Sequence, residues 1–204
     1  MSERTITNRA YIPISTDIIL ARYEENINWI DALKQKFRVF VYNKGSQLNI
    51  PNYPIHKIET LQNTGREPHT YLYHIITNYD ELANRNVFLQ GNPIPHNTTI
   101  VEQLNSLDRF SEEISFRAFT ERSLITFADG DPYHYNLFCN KFRSIIPEIP
   151  DKWFFDQGGC FLVSKDTIRL NPLDFYKQLY YFCNKDPDAP WIMERIWRWV
   201  FIKR

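Results

Sequence analysis

Short apolar segments recur along the first half of this chain, and each stops abruptly at polar residues. Ile18-Ile19-Leu20-Ala21-Arg22-Tyr23, Val39-Phe40-Val41-Tyr42 and residues 86–90 have the length and apolar content of buried strands. A weaker strand is expected over residues 53–58, beside Pro51 and Pro54. Between the strands, residues 24–37 place Ile27, Ile30, Leu33 and Phe37 at helical spacing, and residues 67–82 put Tyr71, Ile75 and Tyr79 on one helical face. A further helix is expected over residues 99–107. Strands alternating with helices predict an α/β fold built on a mostly parallel, mixed central sheet flanked by helices. In such sheets ligands lie beyond the carboxyl ends of the strands. Those ends are polar here: Arg22-Tyr23, Asn43-Lys44-Gly45 and Gln90-Gly91-Asn92.

The second half reads less regularly. Residues 111–150 carry mixed signals, with an irregular stretch around 128–135. Gly159-Cys160-Phe161-Leu162-Val163-Ser164 then reads as a fifth buried strand. Helices are expected over residues 172–183 and 190–202, the latter opened by Pro190. With no repeat or linker, one domain is expected over residues 17–204, after a polar leader over residues 1–16.

Several function classes are disfavoured by composition. Lys and Arg number 24 against 24 Asp and Glu, a net charge of +0, whereas a dedicated nucleic-acid binder needs a basic surface. A hydrophobic share of 43% with 16% aromatics is not that of a disordered chain. The 6 glycines spell neither GxGxxG nor a Walker loop, and there is no GxSxG or HExxH. Cys139, Cys160 and Cys183 form no CxxC pair and read as buried thiols of a reducing compartment. Residues 1–17 lack an apolar signal core, and no apolar run reaches membrane-spanning length, so the expected location is cytoplasmic.

Five local motifs occur together and in order. They are Ala21-Arg22-Tyr23-Glu24-Glu25 through Trp29, Val41-Tyr42-Asn43-Lys44-Gly45, and Asn63-Thr64-Gly65-Arg66-Glu67 through Thr70-Tyr71-Leu72-Tyr73-His74. Phe88-Leu89-Gln90-Gly91-Asn92-Pro93 with His96 follows, then Gly158-Gly159-Cys160-Phe161-Leu162-Val163-Ser164, completed by Glu194-Arg195-Ile196-Trp197 and Phe201. The set resembles a GT-A-type glycosyltransferase family of bacteria, fungi and large DNA viruses, and is similar to the chlorovirus capsid-glycan glycosyltransferase domain. The resemblance implies a nucleotide-sugar half over residues 17–110 and an acceptor half over 111–204. It also implies hexosyl or deoxyhexosyl transfer from a nucleotide diphosphate sugar, a UDP-sugar or similar, to a glycan hydroxyl. Mn²⁺ or Mg²⁺ would assist, and a viral source would place the chain in the host cytoplasm.

Such a transfer needs a neutralised diphosphate, a base for the acceptor hydroxyl and an open attack line. Ala21, Arg22, Tyr23, Tyr42, Asn43, Arg66, Gln90, Gly91 and Asn92 are the donor-binding candidates. Arg22 and Arg66 would meet phosphate, and Tyr23 and Tyr42 could stack on the base; the blander alternatives are ion pairing and core packing. Where the family carries Asp-x-Asp, this chain has Gln90-Gly91-Asn92 and then His96, so Asn92 and His96 are the metal candidates. Asp129 and Asp131 form a literal Asp-Gly-Asp and are the alternative, although a solvated turn explains them as well. Glu194, among Trp191 and Trp197, and Asp156, before the Gly158-Gly159 turn, are the candidate catalytic bases. An available base favours inversion over retention. A nucleotidyltransferase would want a glycine-rich, lysine-bearing N-terminal loop, which is missing. The reading from another class is a non-catalytic nucleotide-sugar or glycan-binding module that has lost its acidic motif.

Overall fold

The protein is described by a computed structural model over residues 15–107, 114–120, 123–127, 132–147 and 152–202. Four parallel strands form the centre: β1 (Thr16–Arg22), β2 (Arg38–Asn43), β3 (Lys57–Thr60) and β4 (Arg85–Gln90). Two strands from the second half extend them, β5 (Phe116–Ala118) and β8 (Phe161–Ser164). The order is β3-β2-β1-β4-β8-β5, with β8 antiparallel to both neighbours. The expected α/β class with a mixed sheet is thus observed, and the halves 17–110 and 111–204 share that sheet. Separately, β6 (Ser123–Phe127) and β7 (Lys152–Asp156) pair as an antiparallel ribbon. β5 and β6 fall within residues 111–150, where the sequence signals are mixed, and β7 follows just after them.

Alternation along the strands divides the core. Ile19, Phe40, Phe88 and Phe161 enter one apolar cluster; Ile18, Leu20, Val39, Val41, Val87, Leu89 and Leu162 enter the other. Strands buried on both faces read as unbroken apolar runs, which is why their positions are legible in sequence. The first face is covered by α1 (Arg66–Thr77), α5 (Leu173–Lys185) and α6 (Ala189–Phe201), with α3 (Pro132–Lys141) against α6. Short helices α2 (Ile100–Asn105) and α4 (Lys165–Arg169) complete the described elements. None of the described helices is long and apolar enough to cross a membrane.

The helix expected over residues 24–37 is instead a 3-10 turn over Asn28–Ala32 flanked by irregular chain. Side chains there bond the backbone in competition with a helix. Asn26 Oδ1 accepts the Asn28 N–H at 2.7 Å, and Glu25 Oε2 accepts the Tyr23 N–H at 2.6 Å. Glu24 accepts both the Ser46 N–H and hydroxyl. The apolar spacing still marks burial correctly, since Ile27, Ile30, Leu33 and Phe37 all enter the second cluster. Helix α1 stops before Leu82 because Asn78 terminates it, its side-chain amide donating to His74 O at 2.9 Å.

Candidate functional site

Register brings the carboxyl ends of β1, β2 and β4 level: Ala21 lies opposite both Tyr42 and Gln90, and Arg22 opposite Asn43. Above them opens a cleft of about 360 Å³ lined by Ala21, Arg22, Tyr23, Glu25, Lys44, Asn63, Arg66, Glu67 and Gln90. That volume falls in the range of small-molecule sites.

Arg22 is 5% exposed, and neutral oxygens rather than an ion pair hold it. Its Nη1 donates to Asn43 Oδ1 at 2.6 Å and Ser46 O at 2.9 Å, and its Nε to Glu25 O at 3.1 Å. Asn43 is therefore a support for Arg22 beneath the cleft. Lys44 donates to Thr64 O at 2.6 Å and Arg66 O at 2.5 Å. Burial brings its pKa down to about 8, against the opposing pull of Glu67.

The entry to α1 is the strained part of the site. Gly65 (φ 58) and Arg66 (φ 47) are consecutive left-handed residues, a conformation a non-glycine side chain resists. A Cβ on Gly65 would fall 2.5 Å from Cys183 O, so glycine is required. This entry stacks the Arg66 guanidinium over Trp191, 4.6 Å from the ring centroid, and directs Glu67 into the cleft. Burial pushes the Glu67 pKa up; its own backbone N–H and Arg66 pull it down, Glu194 adds to the rise, and Lys44 opposes it.

The second half closes the floor. Gln90 Nε2 donates to Gly158 O at 2.7 Å, and the Gly158 N–H donates to Glu194 Oε1 at 2.8 Å. Asp156 receives Arg198 Nε and Nη2, both at 3.0 Å. Trp153 (5% exposed) and Trp197 (3%) are buried, while Trp191 is 41% exposed.

Of the donor candidates, Ala21, Arg22, Tyr23, Arg66 and Gln90 meet in the cleft, and four do not. Tyr42 is 1% exposed, with its hydroxyl 2.9 Å from His74 Nδ1, so it packs the core and cannot stack on a base. Asn43 lies underneath. Gly91 is covered by Glu25: a Cβ there would come within 2.7 Å of Glu25 Oε2. Asn92 Oδ1 accepts the Ile94 N–H at 3.3 Å in its own turn. The His96 ring packs against Gly158, where a Cβ would lie 2.8 Å from His96 Cγ. Asn92 and His96 therefore do not form a ligand pair at the cleft. Among the described residues no three His, Cys, Asp or Glu come together as a metal site. Asp129 and Asp131 lie outside the described residues.

The sequence reading missed Lys44, Asn63, Glu25 and Glu67 as cleft residues. The signal for Lys44 was its place immediately after a strand end. That for Glu67 was a carboxylate following Gly65-Arg66, where helix N-termini favour negative charge.

Comparison with protein families matches residues 18–121, slightly more than half of the chain, to one described as "Protein of unknown function (DUF3431)". The match runs from Ile18 within β1 through β5 and includes every cleft-lining residue named above, but not the Gly158-Gly159 turn or Glu194. No curated protein matches. By the extent of that match, the chain belongs to the DUF3431 family.

Proposed function

We propose that the chain is a glycosyltransferase, moving a hexosyl or deoxyhexosyl group from a nucleotide diphosphate sugar, UDP being the first nucleotide to test, to a glycan hydroxyl. One observation carries the reading: Arg22, Lys44 and Arg66 share a cleft with Glu67 at the carboxyl ends of parallel strands. A diphosphate leaving group needs such cations, because its negative charge grows as the bond to the sugar breaks. A carboxylate beside them suits proton removal from an attacking hydroxyl. Tyr23, 50% exposed at the rim, offers a face for a nucleobase, and Trp191 with Arg66 offers one for a sugar. The order of five sequence motifs resembling the GT-A family supports the same reading. Mn²⁺ or Mg²⁺ would further neutralise the diphosphate, but Asn92 and His96, held in their own turn and against Gly158, are not its ligands.

The test is thermal unfolding with UDP and a panel of UDP-hexoses, with and without Mn²⁺, followed by assay of released UDP. Stabilisation by UDP with slow release from at least one donor is expected. A binding module without catalysis would show stabilisation and no release. Absence of stabilisation at millimolar UDP overturns the reading.

A further inference from the structure

The Gly158-Gly159 turn borders a hollow whose walls mix polar groups with Phe116, Cys160 and Phe161, and one donor in them is unpaired. Trp197 is 3% exposed, and its indole Nε1–H has no hydrogen-bond partner. Buried donors are nearly always paired by protein, water or ligand. A Cβ added at Gly159 would lie 3.9 Å from that nitrogen and 4.0 Å from Glu67 Oε1. Glycine at 159 thus keeps open a point facing both an unpaired donor and a carboxylate. The adjoining space, bordered by Asp156, Gly159, Glu194, Trp197 and Arg198, measures about 10 Å³. That is room for a single water-sized oxygen.

Asp156 and Glu194 border that space, Glu67 faces Gly159 beside it, and the engagements of these three carboxylates differ. Asp156 is held by two hydrogen bonds from Arg198, and Glu194 has one oxygen on the Gly158 N–H. Glu67 meets its own backbone N–H and, at 3.7 Å, Arg66 Nε. It is also the carboxylate of the three that lines the cleft.

We propose that the point beside Gly159, at the edge of this hollow, receives the hydroxyl of the sugar acceptor, with Trp197 Nε1–H donating to its oxygen and Glu67 taking its proton. The proposal rests on the glycosyl-transfer reading and assigns its base. The acceptor O–H proton passes to a Glu67 oxygen while the acceptor oxygen bonds to the anomeric carbon. The bond from that carbon to the nucleoside diphosphate breaks, and its electron pair leaves on the phosphate oxygen. Glu194 is a positioning residue that acts through the Gly158 N–H, and Asp156 is locked beneath it. Burial raises the Glu67 pKa, which makes its carboxylate a stronger proton acceptor than an exposed one.

The test uses the full chain, UDP-hexoses as donors, and water or methyl hexosides as acceptors. Glu67→Gln is expected to lower UDP release by roughly 100-fold or more while UDP still stabilises the folded variant. Wild-type release should rise with pH as Glu67 ionises, and the residual rate of Glu67→Gln should lose that limb. Lys44, Arg66, Glu194, Tyr71, Cys160 and Cys183 face this carboxyl, and Lys44, with a pKa of about 8, should add a falling limb above it. In ¹⁵N-labelled protein with UDP bound, the indole resonance missing from Trp197→Phe should move when methyl hexosides are added. Wild-type release by Glu67→Gln overturns the assignment of the base. An indole resonance that methyl hexosides leave in place, as a permanent water in the hollow would cause, overturns the hydroxyl site. If UDP fails to bind the wild type, the underlying reading falls, and this proposal with it.

Discussion

The two faces of the sheet are made by the same strands yet differ in chemistry. Under α1, α5 and α6 the packing is aromatic: Phe40, Tyr42, Phe88 and Phe161 meet Tyr71, Trp197 and Phe201. On the opposite face Ile18, Leu20, Val41, Val87 and Leu89 meet Ile27, Ile30, Ile100 and Leu104. An aliphatic layer leaves no polar tip behind. The aromatic layer buries His69 Nδ1, Tyr71 OH, His74 Nε2 and Trp197 Nε1 without partners, although Tyr and Trp tips normally find one. The aliphatic face therefore serves as support, whereas the aromatic face is also a wall of the site.

Paired truncations test that contrast most strongly. Phe88 is fully buried against Tyr71 and Phe161, each with its ring centroid 5.2 Å away. Phe88→Ala should cost about 3–5 kcal/mol in urea unfolding and weaken UDP binding as well. Val87→Ala, its neighbour on the aliphatic face, should cost about 2 kcal/mol and leave UDP affinity unchanged. Equal effects of both variants on UDP binding would erase the distinction.

Next in size is an acid dependence that belongs to the aromatic face. Burial brings the pKa of His74 down to about 3 and that of His69 to about 4, below the unfolded value of 6.5. Between those values the unfolded chain binds protons that the folded chain refuses, so stability must fall as pH drops from about 6.5 towards 4. Chemical denaturation across that window should show the slope, and His74→Gln should flatten it. A slope unchanged in that variant would assign the effect to other groups.

Arg66→Ala removes the cation stacked on Trp191 and should weaken UDP about tenfold by calorimetry, near 1.4 kcal/mol. Alanine keeps a Cβ in the same left-handed backbone, so the strain at position 66 is unchanged and the melting temperature should change little. The smallest effect is expected from Ile18→Val, at about 0.5–1.5 kcal/mol with no change in ligand affinity.

What could be read from the residues follows the same divide. The strands β1, β2, β4 and β8 were legible because burial on both faces imposes unbroken apolar runs. The inward set Ile27, Ile30, Leu33 and Phe37 was legible too, although the element carrying it was not a helix, since Asn26 and Glu25 bond the backbone locally and Glu24 is held by Ser46. Of the two roles open to Tyr42, core packing is observed and base stacking is not, because the alternation alone does not tell which face of a strand end is roofed. Helix α1 is its roof, and His74 takes its hydroxyl.

Sequence alone determined the class of the fold, the positions of the central strands and the polar edge where their carboxyl ends meet. These depend on local composition and on short-range periodicity, both carried by contiguous residues. Tertiary structure decided which polar residues share the cleft. Glu67 reaches it through the left-handed pair Gly65-Arg66, and Gln90 meets Gly158 across 68 positions of chain. Such meetings depend on how separate elements pack, and no local pattern encodes them.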